Sequence, residues 1–236
     1  MQGRLSDAGL YRGLVELVDD TDFYRRRHAG LAVMVSEALR AIRSSHQAGR
    51  LLGSGAGKLI RQTADPHGLY MDVAARMPRS LAHGDFNFMN LRTAPPGEAA
   101  AGIAVIDWQY GGYRPIGADI AGFVADSSAY GVRRRIGPAT VFFDDCLAAY
   151  CDGLDRGGFA APIWKARLAV MCHLLGHWGL VTALTLKDAF RSGRSHEERA
   201  ERLARFEEQT EMLFERILPE ADGLMARFLS GDGRDD

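Results

Sequence analysis

The sequence predicts a mainly helical α+β fold built around one small β-hairpin. Apolar residues recur at helical spacing over most of the chain. Between residues 81 and 106 that period breaks into short apolar runs, MNLR and GIAVID, separated by the turn-rich TAPPGEAA. Residues that cap helices stand where the periodic stretches begin.

The first helix is expected in SDAGLYRGLVELVDD, with Ser6 or Asp7 as N-cap and Leu10, Leu14, Leu17 and Val18 on one face. A longer helix follows from Thr21 or Asp22, with Leu31, Val35, Leu39 and Ile42 as its apolar stripe. The glycine-rich LLGSGAGKLIRQTADPHG reads as a loop, and a short helix over 68–77 ends before Pro78. After the hairpin the pattern is helical over 117–130, 137–154, 162–190 and 195–229. Ser195 followed by Glu198 is a capping box at the start of the last of these. The whole of 1–236 is expected to be a single domain: a helical part over 1–80, a segment at 81–125 that carries the chemistry, a helical subdomain over 126–230, and a frayed tail at 231–236.

Composition narrows the function. The chain has 236 residues, is 47% hydrophobic and 25% charged, and carries a net charge of −1. Such a balance gives no electrostatic case for nucleic acid or an anionic membrane as partner. Cys146, Cys151 and Cys172 are too few and too unevenly spaced for a disulfide framework or a zinc site, and read as reduced thiols in a cytoplasmic protein. The N-terminal MQGRLSDAGLYRG has no apolar core like that of a signal peptide, and no apolar run is long enough to span a bilayer.

The residues that carry chemistry lie in LAHGDFNFMNLR and just after it. Asp85 follows His83 and Gly84, Asn90 stands five residues later, and Asp107 ends the apolar run IAVID. Phosphoryl transfer needs these groups. One carboxylate, Asp85, orients or accepts the proton of an attacking hydroxyl. An Asn and a second Asp, here Asn90 and Asp107, hold Mg2+ against the phosphates. A strand–loop–strand arrangement brings all three to one end of the hairpin.

HGDFNFMN followed by VIDWQYGGYRPIGADIAGF resembles the aminoglycoside phosphotransferase and choline/ethanolamine kinase superfamily, relatives of the protein kinases. The similarity runs in order from about residue 30 to 190 and is sharp over 83–122. It implies a protein-kinase-like C-terminal lobe, Asp85 as catalytic base, Asn90 and Asp107 as Mg2+ ligands, and His83 and Asp119 as groups that brace the loop. It also implies ATP or GTP as phosphoryl donor and a hydroxyl acceptor. That acceptor is a small-molecule alcohol, or Ser/Thr of a precursor peptide whose phosphorylated side chain a partner lyase eliminates.

The resemblance also exposes a gap. Kinase-like enzymes hold the nucleotide with an N-terminal lobe that supplies a lysine on a strand and a glutamate on a helix. No lysine precedes Lys58, and no glutamate stands between Glu37 and Glu98. Residues 1–80 therefore replace or lack that lobe, and a partner protein or a second copy is expected to complete the nucleotide site. GSGAGK at 53–58 departs from a phosphate-binding loop at Leu52 and Leu59, and leaves Lys58 as a nucleotide-binding candidate beside the reading as a plain flexible loop. The rival function is a pseudokinase or scaffold subunit that transfers no phosphate. His173 and His177 share a metal-chelating spacing but read as core histidines, and Arg25–Arg27 and Arg133–Arg135 read as solvated faces. Asp144, Asp145, Asp152 and Asp155 read as a solvated acidic face or an acceptor-site lining, and Trp164 and Trp178 as core.

Overall fold

The computed structural model describes residues 68–93, 102–129, 139–190 and 193–231, together with positions 26, 29, 30, 32–34, 36, 37 and 40. Those last positions are helical, in line with the second expected helix. The expected caps at residues 6–7 and 21–22, the glycine-rich loop with Lys58, and the tail beyond 231 lie outside the described residues.

The elements run α1 (Leu69–Ala75), β1 (Arg79–Ala82), β2 (Leu91–Thr93), β3 (Ile103–Val105), β4 (Gly112–Pro115), α2 (Ala118–Ala129), α3 (Ala139–Arg156), α4 (Ile163–His173), α5 (Gly179–Ala189), α6 (His196–Glu211) and α7 (Leu218–Leu229). Helices dominate. The strands form two small antiparallel sheets, where the sequence predicts one hairpin. In the expected hairpin, Leu91 pairs with Val105 and Thr93 with Ile103. In the second sheet β1 pairs with β4, Arg79 opposite Pro115 and Ala82 opposite Gly112. That pairing is hidden in the sequence because its partners lie about thirty residues apart. GYRP also carries the two residues that strand patterns avoid, and Pro115 sits where the ladder ends.

α4 is the centre of the core. Ala166 and Leu168–Cys172 are wholly buried, and the helix packs against α1, α2, α3 and α7. Residues 168–175 are buried on every side and need no polar face, and WKARLAVMCHLL accordingly shows only a weak stripe. Phe143, Leu147 and Leu154 of α3, Val124 of α2, Val73 of α1, and Ala221 and Met225 of α7 close around it.

The two long C-terminal helices are each interrupted by a π-helical stretch, Leu174–Trp178 and Met212–Ile217. The second has a plain cause. Pro219 in the first turn of α7 offers no N–H and its ring crowds the carbonyl four residues back, so the preceding turn widens. In the first, a Cβ on Gly176 would stand 2.6 Å from Met71 Sδ, so glycine lets α1 approach closely. The capping box forms as expected: Ser195 Oγ accepts from the Glu198 N–H, and the Glu198 carboxylate accepts from the Ser195 N–H.

The turn from β4 into α2 is locked onto α4 by Gly117, at φ +87°. A Cβ there would come within 2.7 Å of the Val170 backbone nitrogen. Gly117→Ala is therefore expected to destabilise the protein by about 2 kcal/mol or more. The left-handed backbone alone costs about 1–2 kcal/mol, and the overlap is with backbone that cannot rotate away. An unchanged urea midpoint would contradict this close approach. A polar network ties the far side: Arg216 bonds Asp144 on α3 at 2.7 Å and Glu220 on α7 at 2.7 Å, and Arg167 on α4 bonds Glu220 at 2.6 Å.

Candidate active site

β1 runs straight into the loop His83–Asn90, and that loop is over-determined by backbone-directed bonds. The Asp119 carboxylate, in the first turn of α2, accepts from the His83 N–H at 2.7 Å and the Gly84 N–H at 2.9 Å. Two successive N–H groups converge on one carboxylate because Gly84 takes φ +81°. A Cβ at position 84 would overlap Arg114 Nη1 and the Tyr110 carbonyl oxygen, so only glycine fits.

His83 is buried, with its ring edge-on to Trp108 at 4.7 Å. Its Nε2 lies 2.8 Å from the Ile106 carbonyl, and its Nδ1 accepts from the Asp85 N–H at 3.3 Å. A carbonyl can only accept and an N–H can only donate, so the proton sits on Nε2 and the imidazole is neutral in this arrangement. His83 therefore braces the turn and ties it to the segment that carries Asp107.

Asp85 follows, half-buried. Its carbonyl oxygen accepts from Asn87 Nδ2 at 3.2 Å and from Asn90 Nδ2 at 2.9 Å, and its carboxylate lies 3.3 Å from the same Asn90 nitrogen. Asn87 Oδ1 caps the short turn Phe88–Asn90 by accepting from the Met89 N–H at 2.9 Å. Both atoms facing the Asn90 amide are oxygens, so that amide presents its nitrogen to Asp85 and keeps Oδ1 as its remaining acceptor.

Asp107 reaches the same end through the ladder. The Ile106 N–H bonds the Asn90 carbonyl at 3.0 Å, extending the β2–β3 pairing by one step and placing Asp107 just beyond Asn90. Asp107 is exposed, and its side chain makes no capping hydrogen bond to the turn that follows it. Its backbone is left-handed, φ 62° and ψ 61°, where no other described non-glycine residue goes. Such a conformation costs about 1–2 kcal/mol and persists only where the surroundings hold it.

The structure thus brings Asp85 and Asn90 into contact, sets Asp107 beside Asn90 on the backbone, and clamps His83 and Gly84 with Asp119. Among the described residues no group of three His, Cys, Asp or Glu converges to hold a metal unaided. The donors present are hard oxygens, Asn90 Oδ1 and the Asp107 carboxylate. That set fits Mg2+, which keeps several waters and takes one or two protein ligands beside substrate phosphates.

Burial pushes the Asp119 carboxyl up, against the pull of the N–H bonds from His83 and Gly84 and of the Arg114 charge. Asp119 as a residue keeps some solvent contact, while its carboxylate is enclosed by loop backbone.

Arg114, Asn87 and Trp108 were not among the expected site residues. Arg114 had a signal: it is the sole basic residue between Arg92 and Arg133, in a stretch otherwise rich in glycine and apolar residues. Asn87 had none beyond its turn-forming type. The other expected candidates fall elsewhere. Asp144 is taken by Arg216, and Asp152 pairs with Arg156 at the surface. Trp164 lies against the core under Arg227. His173 is buried in α4, and the side chain of His177 lies outside the described residues. The three cysteines are unpaired thiols. No helix among the described residues is long and apolar enough to cross a membrane.

Comparison with family models, with curated proteins and with solved structures returns no match.

Proposed function

We propose that the chain is a Mg2+-dependent phosphotransferase of the aminoglycoside phosphotransferase and choline/ethanolamine kinase type, moving the γ-phosphate of ATP or GTP to a hydroxyl. The observation that carries this reading is the meeting of Asp85 and Asn90 at one end of the hairpin, with Asp107 beside them and Asp119 holding the loop from below.

Asp85 is the group that orients the acceptor hydroxyl and takes its proton as the phosphate arrives. Its backbone is pinned by the His83 imidazole and the Asn87 and Asn90 amides, and the Asn90 amide also meets its carboxylate, the positioning that an in-line attack requires. Asn90 Oδ1 and the Asp107 carboxylate would hold Mg2+. Bound there, the ion would offset the charge of the donor phosphates during transfer. The acceptor is a small-molecule alcohol, or Ser/Thr of a precursor peptide in a pathway with a partner lyase.

A partner protein or a second copy completes the nucleotide site. Met89, Ile103, Ile106, Trp108 and Tyr110, on the hairpin and the turns beside Asp107, are exposed apolar side chains, and a covering surface would bury them. The same gap in the lysine and glutamate inventory supports the second reading, a pseudokinase or scaffold subunit.

Transfer of labelled γ-phosphate from ATP and GTP with Mg2+, alone and with candidate partners, separates the two. Asp85→Asn is expected to lower transfer by about 10²–10⁴-fold with the melting temperature little changed. Neither transfer nor Mg-nucleotide binding under any pairing would leave the scaffold reading in its place.

A further inference from the structure

We propose that Trp108 is a positioning residue: its indole holds Asp107 in the left-handed backbone, and so fixes the direction in which the Asp107 side chain leaves the chain beside Asn90. The role of that carboxylate rests on the phosphotransferase reading; the hold on the backbone does not.

The strain sits at Asp107, at φ 62°. An aspartate left to itself leaves that region, so contacts on both sides have to keep it there. The residue before it is held twice. The Ile106 N–H donates to the Asn90 carbonyl at 3.0 Å, and the Ile106 carbonyl lies 2.8 Å from His83 Nε2. The residue after it is Trp108, and two of its contacts reach back across Asp107. The indole N–H donates to the Val105 carbonyl at 2.9 Å. The ring meets the His83 imidazole edge-on at 4.7 Å, and that imidazole is the one that bonds Ile106. Asp107 is thus enclosed by two small rings of contacts, and Trp108 closes both.

Trp108 is itself seated. Its carbonyl accepts from the Gly111 N–H at 2.8 Å, and a Cβ on Gly111 would stand 3.3 Å from Trp108 Cε3. The side chain is 40% exposed, so its N–H has water within reach. It turns instead to a carbonyl three residues back. A phenyl ring could serve the contact with His83; only the indole also carries the donor that spans Asp107.

In a left-handed residue the amide proton lies closer to its own Cα proton than in helical or extended backbone. The intraresidue NOE of Asp107 therefore reports its conformation without metal or nucleotide, and wild type is expected to give a strong cross-peak. Trp108→Phe keeps a ring for His83 and loses the donor. The cross-peak is expected to fall by about twofold or more, because a hydrogen bond and the left-handed strain it opposes are of similar size. Under the phosphotransferase reading, the same variant is expected to raise the Mg2+ concentration for half-maximal transfer by about tenfold, with a smaller change in rate at saturating Mg2+.

A cross-peak of wild-type strength in Trp108→Phe would overturn the proposal, as would an unchanged Mg2+ requirement in an active enzyme. If the variant does not fold, solvent exchange of the Trp108 indole N–H in wild type decides. Exchange about tenfold or more slower than in free tryptophan supports the bond across Asp107, and exchange at the free rate refutes it. A protein that transfers no phosphate yet loses the cross-peak in Trp108→Phe would remove the phosphotransferase reading and keep the hold on the backbone.

Discussion

Asp119→Ala is expected to cost about 3 kcal/mol or more of stability and to take the proposed phosphate transfer with it. The side chain accepts two successive backbone N–H groups of the loop. A buried donor left without a partner costs about 1–3 kcal/mol, and here there are two. The neighbouring Arg114 guanidinium would also lose the carboxylate that attracts it. Asp119→Asn keeps one acceptor oxygen and should recover roughly half of the loss. A guanidinium-chloride series on wild type, Asp119→Asn and Asp119→Ala reads the ordering directly. If the alanine variant unfolds at the wild-type midpoint, the loop is held by something other than this clamp. Transfer should fall in step because the clamp lies one residue before Asp85.

The same contacts show why the site was partly legible in the sequence. Asp85, Asn90 and Asp107 stood out because their types and order match what phosphoryl transfer would need, and the fold brings them to one end of the hairpin. Asp119 could be placed only by resemblance, since a lone Asp in a first helical turn is ordinary capping chemistry. Arg114 stood out in the sequence only as an isolated basic residue, which does not place it. Its place depends on β1 pairing with β4, a long-range register that neither four-residue strand announces. Helices behaved differently. The capping box at Ser195 and the limits of α2 and α3 fell close to expectation, because caps and periodicity are local. The π-helical stretches did not, because one answers to Pro219 acting backwards along the chain and the other to the approach of α1 at Gly176. The β1–β4 pairing and the stretch at Gly176 stayed hidden because a distant neighbour decides each.

His173 joins the core to the site and makes the fold sensitive to acid. It lies at the buried end of α4, and burial pushes its pKa down to about 4, opposed by a hydrogen bond with the Ile116 backbone. In the unfolded chain an imidazole titrates near 6.5. Between those values the unfolded state binds a proton that the folded state refuses, so stability falls as pH drops from about 6.5 to about 4 and is steady on either side. The span corresponds to about 3 kcal/mol, at about 1.4 kcal/mol per unit.

Other groups titrate in the same range. Asp119, raised by enclosure, acts in the opposite sense, because the folded state accepts its proton more readily than the unfolded chain does. A comparison between wild type and His173→Gln cancels these shared contributions. The variant is expected to be less stable at pH 7, where it loses a fitted ring, and to close the difference by about 3 kcal/mol at pH 4. Parallel urea stability curves for the two proteins over pH 4–7 would refute the account.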